Sequence, residues 1–129
     1  MFSYFDTGNG PSEEAPERFY HGFVLGLCVE LGGRYYITSN RESGFGRYDV
    51  MFEPRNHEDV GMILEFKVRD AKKEDSLEAT VQEALAQIER KQYDRILLER
   101  GIPEHRIYKY GFAFEGKKVL IGQQNKDSK

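Results

Sequence analysis

Residues 46–69, GRYDVMFEPRNHEDVGMILEFKVR, constrain the fold more than any other stretch, because they hold two period-two patterns separated by a polar loop. Successive side chains of a strand point to opposite faces, so Tyr48, Val50 and Phe52 take one face while Asp49 and Met51 take the other. The second run repeats the pattern. Met62, Leu64, Phe66 and Val68 share a face, which leaves Ile63, Glu65 and Lys67 together on the opposite one. If the loop from Pro54 to Val60 closes a hairpin about its middle residue, His57, then Asp49 lies directly opposite Glu65. Cβ atoms so placed are roughly 5 Å apart.

Two carboxylates at that distance repel unless a cation sits between them. The pair therefore predicts a divalent-metal site, and Mg²⁺ suits it, with Mn²⁺ as a substitute. Mg²⁺ is a hard ion that keeps several waters and usually accepts one or two carboxylates plus phosphate oxygens. The Phe66 carbonyl is the candidate third protein oxygen, so the predicted metal set is Asp49, Glu65 and Phe66. Lys67, two residues beyond Glu65, points an ammonium at the same spot, where it can orient a water and offset charge on a phosphate. Glu-x-Lys alone carries little weight in a chain that is 32% charged, since a solvated strand face looks the same. The combination with Asp49 and the alternation is more specific.

The rest of the chain reads as one domain of 129 residues. Residues 1–16, with Gly8, Gly10, Pro11, Glu13, Glu14 and Pro16, read as an irregular acidic lead-in onto which Phe2, Tyr4 and Phe5 can pack back. Glu17 to Leu31 reads as a helix ended by Gly32 and Gly33, apolar on nearly every side and so expected to be buried. Arg34 to Ser39 is a first strand, and strands over 47–53 and 61–68 form the hairpin. A second helix begins near Ser76 or Leu77, carries the stripe Leu77, Val81, Ala84, Leu85 and Ile88, and is ended by Gly101 and Pro103. Arg106 to Phe114 and Lys117 to Ile121 make a last hairpin around Glu115 and Gly116. The domain spans 17–122, and 123–129 is an expected disordered tail. The order is αβββαββ, an α/β arrangement.

Charge and cysteine usage bound the function. A formal charge of −3 argues against a high-affinity nonspecific binder of nucleic acid but leaves room for a local basic rim. Cys28 is alone, which excludes an intramolecular disulfide and predicts a reducing, cytoplasmic setting. The longest apolar run, Phe23 to Leu31, is interrupted by Gly26 and Glu30 and is too short to span a bilayer. Gly22 and Gly26 have a G-x-x-x-G spacing, expected here to allow close packing of the helix on the sheet.

Secondary candidates surround the pair. Gln87 and Lys91, four apart on one flank of the second helix, either reach over the sheet edge towards a phosphate or form a solvated flank. Tyr93 projects to the other side if that helix is regular, as a packing residue. Glu17 and His21 share a face of the first helix, with Glu30 as the rival acid, although a lone His in an apolar helix is more often a satisfied structural residue. Arg41, Arg47 and Arg55 flank the paired strands as the best phosphate contacts.

With Asp49 followed by Glu65-Phe66-Lys67 at the end of an apolar strand, the chain resembles the PD-(D/E)XK phosphodiesterase superfamily. More narrowly, FYHGFVLGL at 19–27, SNRESGFGRYDV at 39–50, GMILEFKV at 61–68 and ALAQIERKQY at 84–93 resemble the nuclease-like module at the C-terminus of bacterial AAA-ATPase-like proteins. The resemblance runs from about Phe5 to Ile121. It implies a restriction-endonuclease-like core with a mixed central sheet flanked by helices. It also implies Mg²⁺-dependent hydrolysis of phosphodiester bonds, with Asp49, Glu65, Lys67 and Gln87 as the catalytic set and Glu17, His21 and Lys91 as accessories. Tyr48 stands where the superfamily name has proline, a departure that many members share. The implied partners are nucleic acid, DNA ahead of RNA, and an AAA-type ATPase domain, with a homodimer as a further candidate and no membrane. The rival is a catalytically silent nuclease-fold module that binds nucleic acid or regulates such an ATPase.

Overall fold

Alternation along the strands sorts the molecule into an aromatic face and a face of small and charged residues on one sheet. In chain order the computed structural model contains β1 (Phe2–Asp6), α1 (Ala15–Leu31), β2 (Tyr35–Arg41), β3 (Arg47–Pro54), β4 (Gly61–Val68), α2 (Leu77–Lys91), α3 (Asp94–Glu99), a 3₁₀ turn (Glu104–Arg106), β5 (Ile107–Glu115) and β6 (Lys118–Gln123). It describes residues 2–6, 15–41 and 47–124, with side chains over 18–40 and 47–124. Among the described residues the sheet has six strands in the order β1-β6-β5-β4-β3-β2. The β4 to β5 pair is parallel and the others are antiparallel, so the sheet is mixed as expected.

The aromatic face is built from Tyr48, Val50, Phe52, Leu64, Phe66, Phe112 and Phe114, covered by Tyr20 and its neighbours on α1. Phe66 stacks on Phe112 at 4.5 Å between ring centroids, and Tyr20 stacks on Tyr48 at 4.3 Å. The other face carries Ile63 and Ile107 beneath Ile88 of α2 and Leu97 of α3. Helix α2 is well specified locally. Ser76 caps it by accepting the Ala79 amide at 3.2 Å, Glu78 lies in its first turn, and Arg90 and Lys91 lie in its last. Its closeness to the sheet depends on Gly111 of β5, where an added Cβ would stand 2.9 Å from the Val81 carbonyl oxygen and 3.2 Å from Ala84 Cβ.

Four expectations change. Residues 2–6, taken with an irregular lead-in, form β1, which pairs Tyr4 with Leu120 at the β6 edge; edge pairing supplies the order that the local pattern does not. Helix α1 is not buried all round. A single helix laid on a sheet buries one side, so Leu25 and Val29 remain 67% and 79% exposed, and an added Cβ at Gly22 or Gly26 would meet nothing within 4 Å among the described residues. The second helix does not run to Gly101. It stops at Gln92, which takes φ 54 and ψ 42, and α3 follows. Gln123 and Gln124, expected in a disordered tail, are structured: Gln123 ends β6 and the Gln124 amide donates to the Lys109 carbonyl at 3.0 Å; the rest of that expectation, over 125–129, lies outside the described residues.

Candidate active site

The β3 to β4 register is the one the hairpin argument requires: Asp49 pairs with Glu65, Arg47 with Lys67 and Tyr48 with Phe66. Directly opposed residues project to one face, so both carboxylates lie on the α2 side of the sheet. Asp49 is 5% exposed and Glu65 is 0% exposed. Burial of two neighbouring acids is costly unless donors or cations answer them. The chain supplies several.

Each Asp49 oxygen has a donor. Asn40 Nδ2 donates to Oδ1 at 3.2 Å, from the position opposite Asp49 on β2, and the Tyr93 hydroxyl donates to Oδ2 at 3.0 Å. Glu65 Oε2 lies 3.8 Å from Arg47 Nη1, whose Nη2 lies 3.6 Å from Glu83 Oε2 on α2. Arg90 in turn pairs with Glu83 and donates to Gln87 Oε1 at 2.8 Å. An ionic chain thus runs from the centre of the sheet to α2 and takes in Gln87, which is buried.

Lys67 is buried on the expected face, but its ammonium is held by a residue the sequence did not point to. Nζ donates to Glu74 Oε2 at 2.7 Å and to the Val68 carbonyl at 3.4 Å. The other Glu74 oxygen accepts the Thr80 hydroxyl and the Asp70 amide, both at 2.9 Å. Burial alone would raise the Glu74 carboxyl; the Lys67 hydrogen bond, the Asp70 amide, the Thr80 hydroxyl and the Lys67 charge outweigh it and hold the group below its ordinary value.

The remaining candidates divide. Arg47 is in the site. Arg55 is not: its guanidinium lies 4.2 Å from the Tyr36 ring centroid and donates to the Gly32 carbonyl at 3.3 Å. It follows the far end of β3, about 20 Å from Asp49 by strand rise. Lys91 is exposed in the last turn of α2. His21 is exposed on α1, its ring centroid 6.5 Å from that of Tyr48, on the aromatic side of the sheet and away from the carboxylates. Glu30 is exposed on the same helix. The Phe66 ring is buried on the aromatic face, and its backbone belongs to a strand paired on both sides. The side chains of Glu17 and Arg41 lie outside the described residues.

Sequence reasoning missed Asn40, Glu74, Glu83 and the role of Tyr93. Asn40 was within reach, because continuing the β2 to β3 pairing from Ile37 and Phe52 places it opposite Asp49. Tyr93 was hidden by the assumption of a regular helix through residue 92. Glu74 sits in a charged loop with no periodicity to single it out.

Chemically, the paired carboxylates offer an all-oxygen donor set suited to a small hard cation. Among the described residues no group of three or more His, Cys, Asp or Glu is arranged to hold a metal ion. Two acidic ligands still fit Mg²⁺ or Mn²⁺, which leave their other positions to water and substrate oxygens. A family model described as the PD-(D/E)XK nuclease superfamily matches residues 15–124. No curated protein and no solved structure matches the chain.

Proposed function

The chain belongs to the PD-(D/E)XK nuclease superfamily, and from that premise we propose that it is a Mg²⁺-dependent nuclease that hydrolyses phosphodiester bonds, with DNA as the first substrate to test. The observation that carries this reading is the buried pair Asp49 and Glu65, opposed on neighbouring strands with Lys67 on the same face.

Asp49 and Glu65 would hold the cation, which would supply acidification of a water and withdrawal of charge from the scissile phosphate. Lys67 places positive charge beside the phosphate as negative charge builds there, and its pairing with Glu74 fixes where that ammonium sits. Arg47 at the outer end of the carboxylate row is the phosphate contact, passing from Glu65 and Glu83 to the substrate. Gln87 accepts from Arg90 and so helps hold it against Glu83, the acid that faces Arg47.

A second reading has its own support. Both Asp49 oxygens accept hydrogen bonds and Glu65 has a guanidinium beside it, an arrangement that also suits a silent nuclease-fold module regulating an AAA-type ATPase domain or binding nucleic acid. The test is incubation of the purified chain with Mg²⁺ or Mn²⁺ at low salt against single strands, duplexes, branched junctions and RNA. Low salt matters because a chain of net charge −3 binds polyanions weakly. Cleavage of at least one substrate is expected. Metal binding with none of them cut would make the silent module the better reading.

A further inference from the structure

At the junction of α2 and α3, Gln92 stands at φ 54 and ψ 42, in the left-handed region that a residue with a side chain seldom adopts. Its amide closes α2 on the Glu89 and Ile88 carbonyls. The chain then turns back over the sheet. Tyr93 packs against the cluster of Ile63, Ile88 and Leu97 and brings its hydroxyl to 3.0 Å from Asp49 Oδ2 across 44 residues of sequence. Had α2 continued, the next residue would have kept to the helix path and pointed elsewhere.

A carboxylate on β3 has one terminal torsion to fix, and that torsion is broad unless neighbours hold it. Asn40 holds Oδ1 and Tyr93 holds Oδ2. A carboxylate oxygen has two lone-pair directions, so a donor on each can orient the group without being an alternative to binding an ion. Loss of a group that orients a metal-binding side chain in this way typically costs about 10–100-fold in affinity.

We propose that Tyr93 is a positioning residue that fixes the rotamer of Asp49 for a divalent cation; this rests on the metal-dependent function proposed above. The hydroxyl acts through Asp49, and the ring carries a separate packing role. The two separate by substitution. Tyr93→Phe keeps the ring and removes the donor, and Tyr93→Ala removes both.

Calorimetric titration with Mn²⁺ is the test, run beside thermal melts without metal. Tyr93→Phe should weaken Mn²⁺ binding by about tenfold while melting within a few degrees of the wild type. Tyr93→Ala should melt lower yet weaken Mn²⁺ no further than Tyr93→Phe. Equal Mn²⁺ affinity in Tyr93→Phe and the wild type would overturn the proposal, as would an affinity that falls only in step with the melting temperature. A wild type that binds no Mn²⁺ would overturn the nuclease reading and this inference together, whereas the first result overturns the inference alone.

Discussion

Lys67→Ala should lower metal-dependent cleavage by about 10²–10³-fold while leaving Mn²⁺ affinity close to that of the wild type. A protonated lysine has no lone pair to give a metal, so its loss spares the ligand set. Its charge is two residues along β4 from Glu65 and on the same face, where the phosphate must lie if Asp49 and Glu65 hold the cation. The substitution also strips Glu74 of its partner at 2.7 Å, so lost activity could come from lost stability. The double substitution Lys67→Ala with Glu74→Gln separates the two causes, because it removes the uncompensated charge and leaves the ammonium absent. The double variant should recover stability and remain inactive. Recovery of cleavage would assign Lys67 a structural role only.

The second large effect is on folding. Glu74→Ala leaves Lys67 buried without its carboxylate, and removing one partner of a buried pair costs about 3–5 kcal/mol. Both side chains are 9% exposed, so little solvent screening softens that cost. Denaturant unfolding at neutral pH measures it. The pH dependence follows from the lowered Glu74 carboxyl. The unfolded chain binds a proton near 4.5, and the folded chain does so only at a lower value. The contribution is therefore fully present above about pH 4.5 and is lost as pH falls through the lower folded value. Below about pH 4.5 the wild type should lose stability more steeply than Glu74→Gln. Parallel acid limbs for the two proteins would remove Glu74 from the account.

What was legible in the sequence is what rests on period and register. The alternation in 47–53 and 61–68, with the hairpin centred on His57, placed Asp49 opposite Glu65. Residues without periodicity were not legible. Gln92 ends a helix in a conformation usually given to Gly or Asn, so no breaker announced the turn that brings Tyr93 to Asp49. Lys109 reads as a misplaced charge in a strand until Glu89 and Asp94 meet its ammonium at 2.7 and 2.9 Å from two different helices. Glu74 is one acid among several in a charged loop, and only the fold selects it. Strand β1 depends on an edge 110 or more residues away in sequence, beyond any local pattern.

The central claim is that Asp49 and Glu65 form a working divalent-cation site, and calorimetric titration with Mn²⁺ of the wild type against Asp49→Ala tests it most directly. The account predicts saturable binding by the wild type and its loss in Asp49→Ala, with both proteins folded by circular dichroism. Identical titration curves for the two proteins, or a flat wild-type titration at millimolar Mn²⁺, would contradict it.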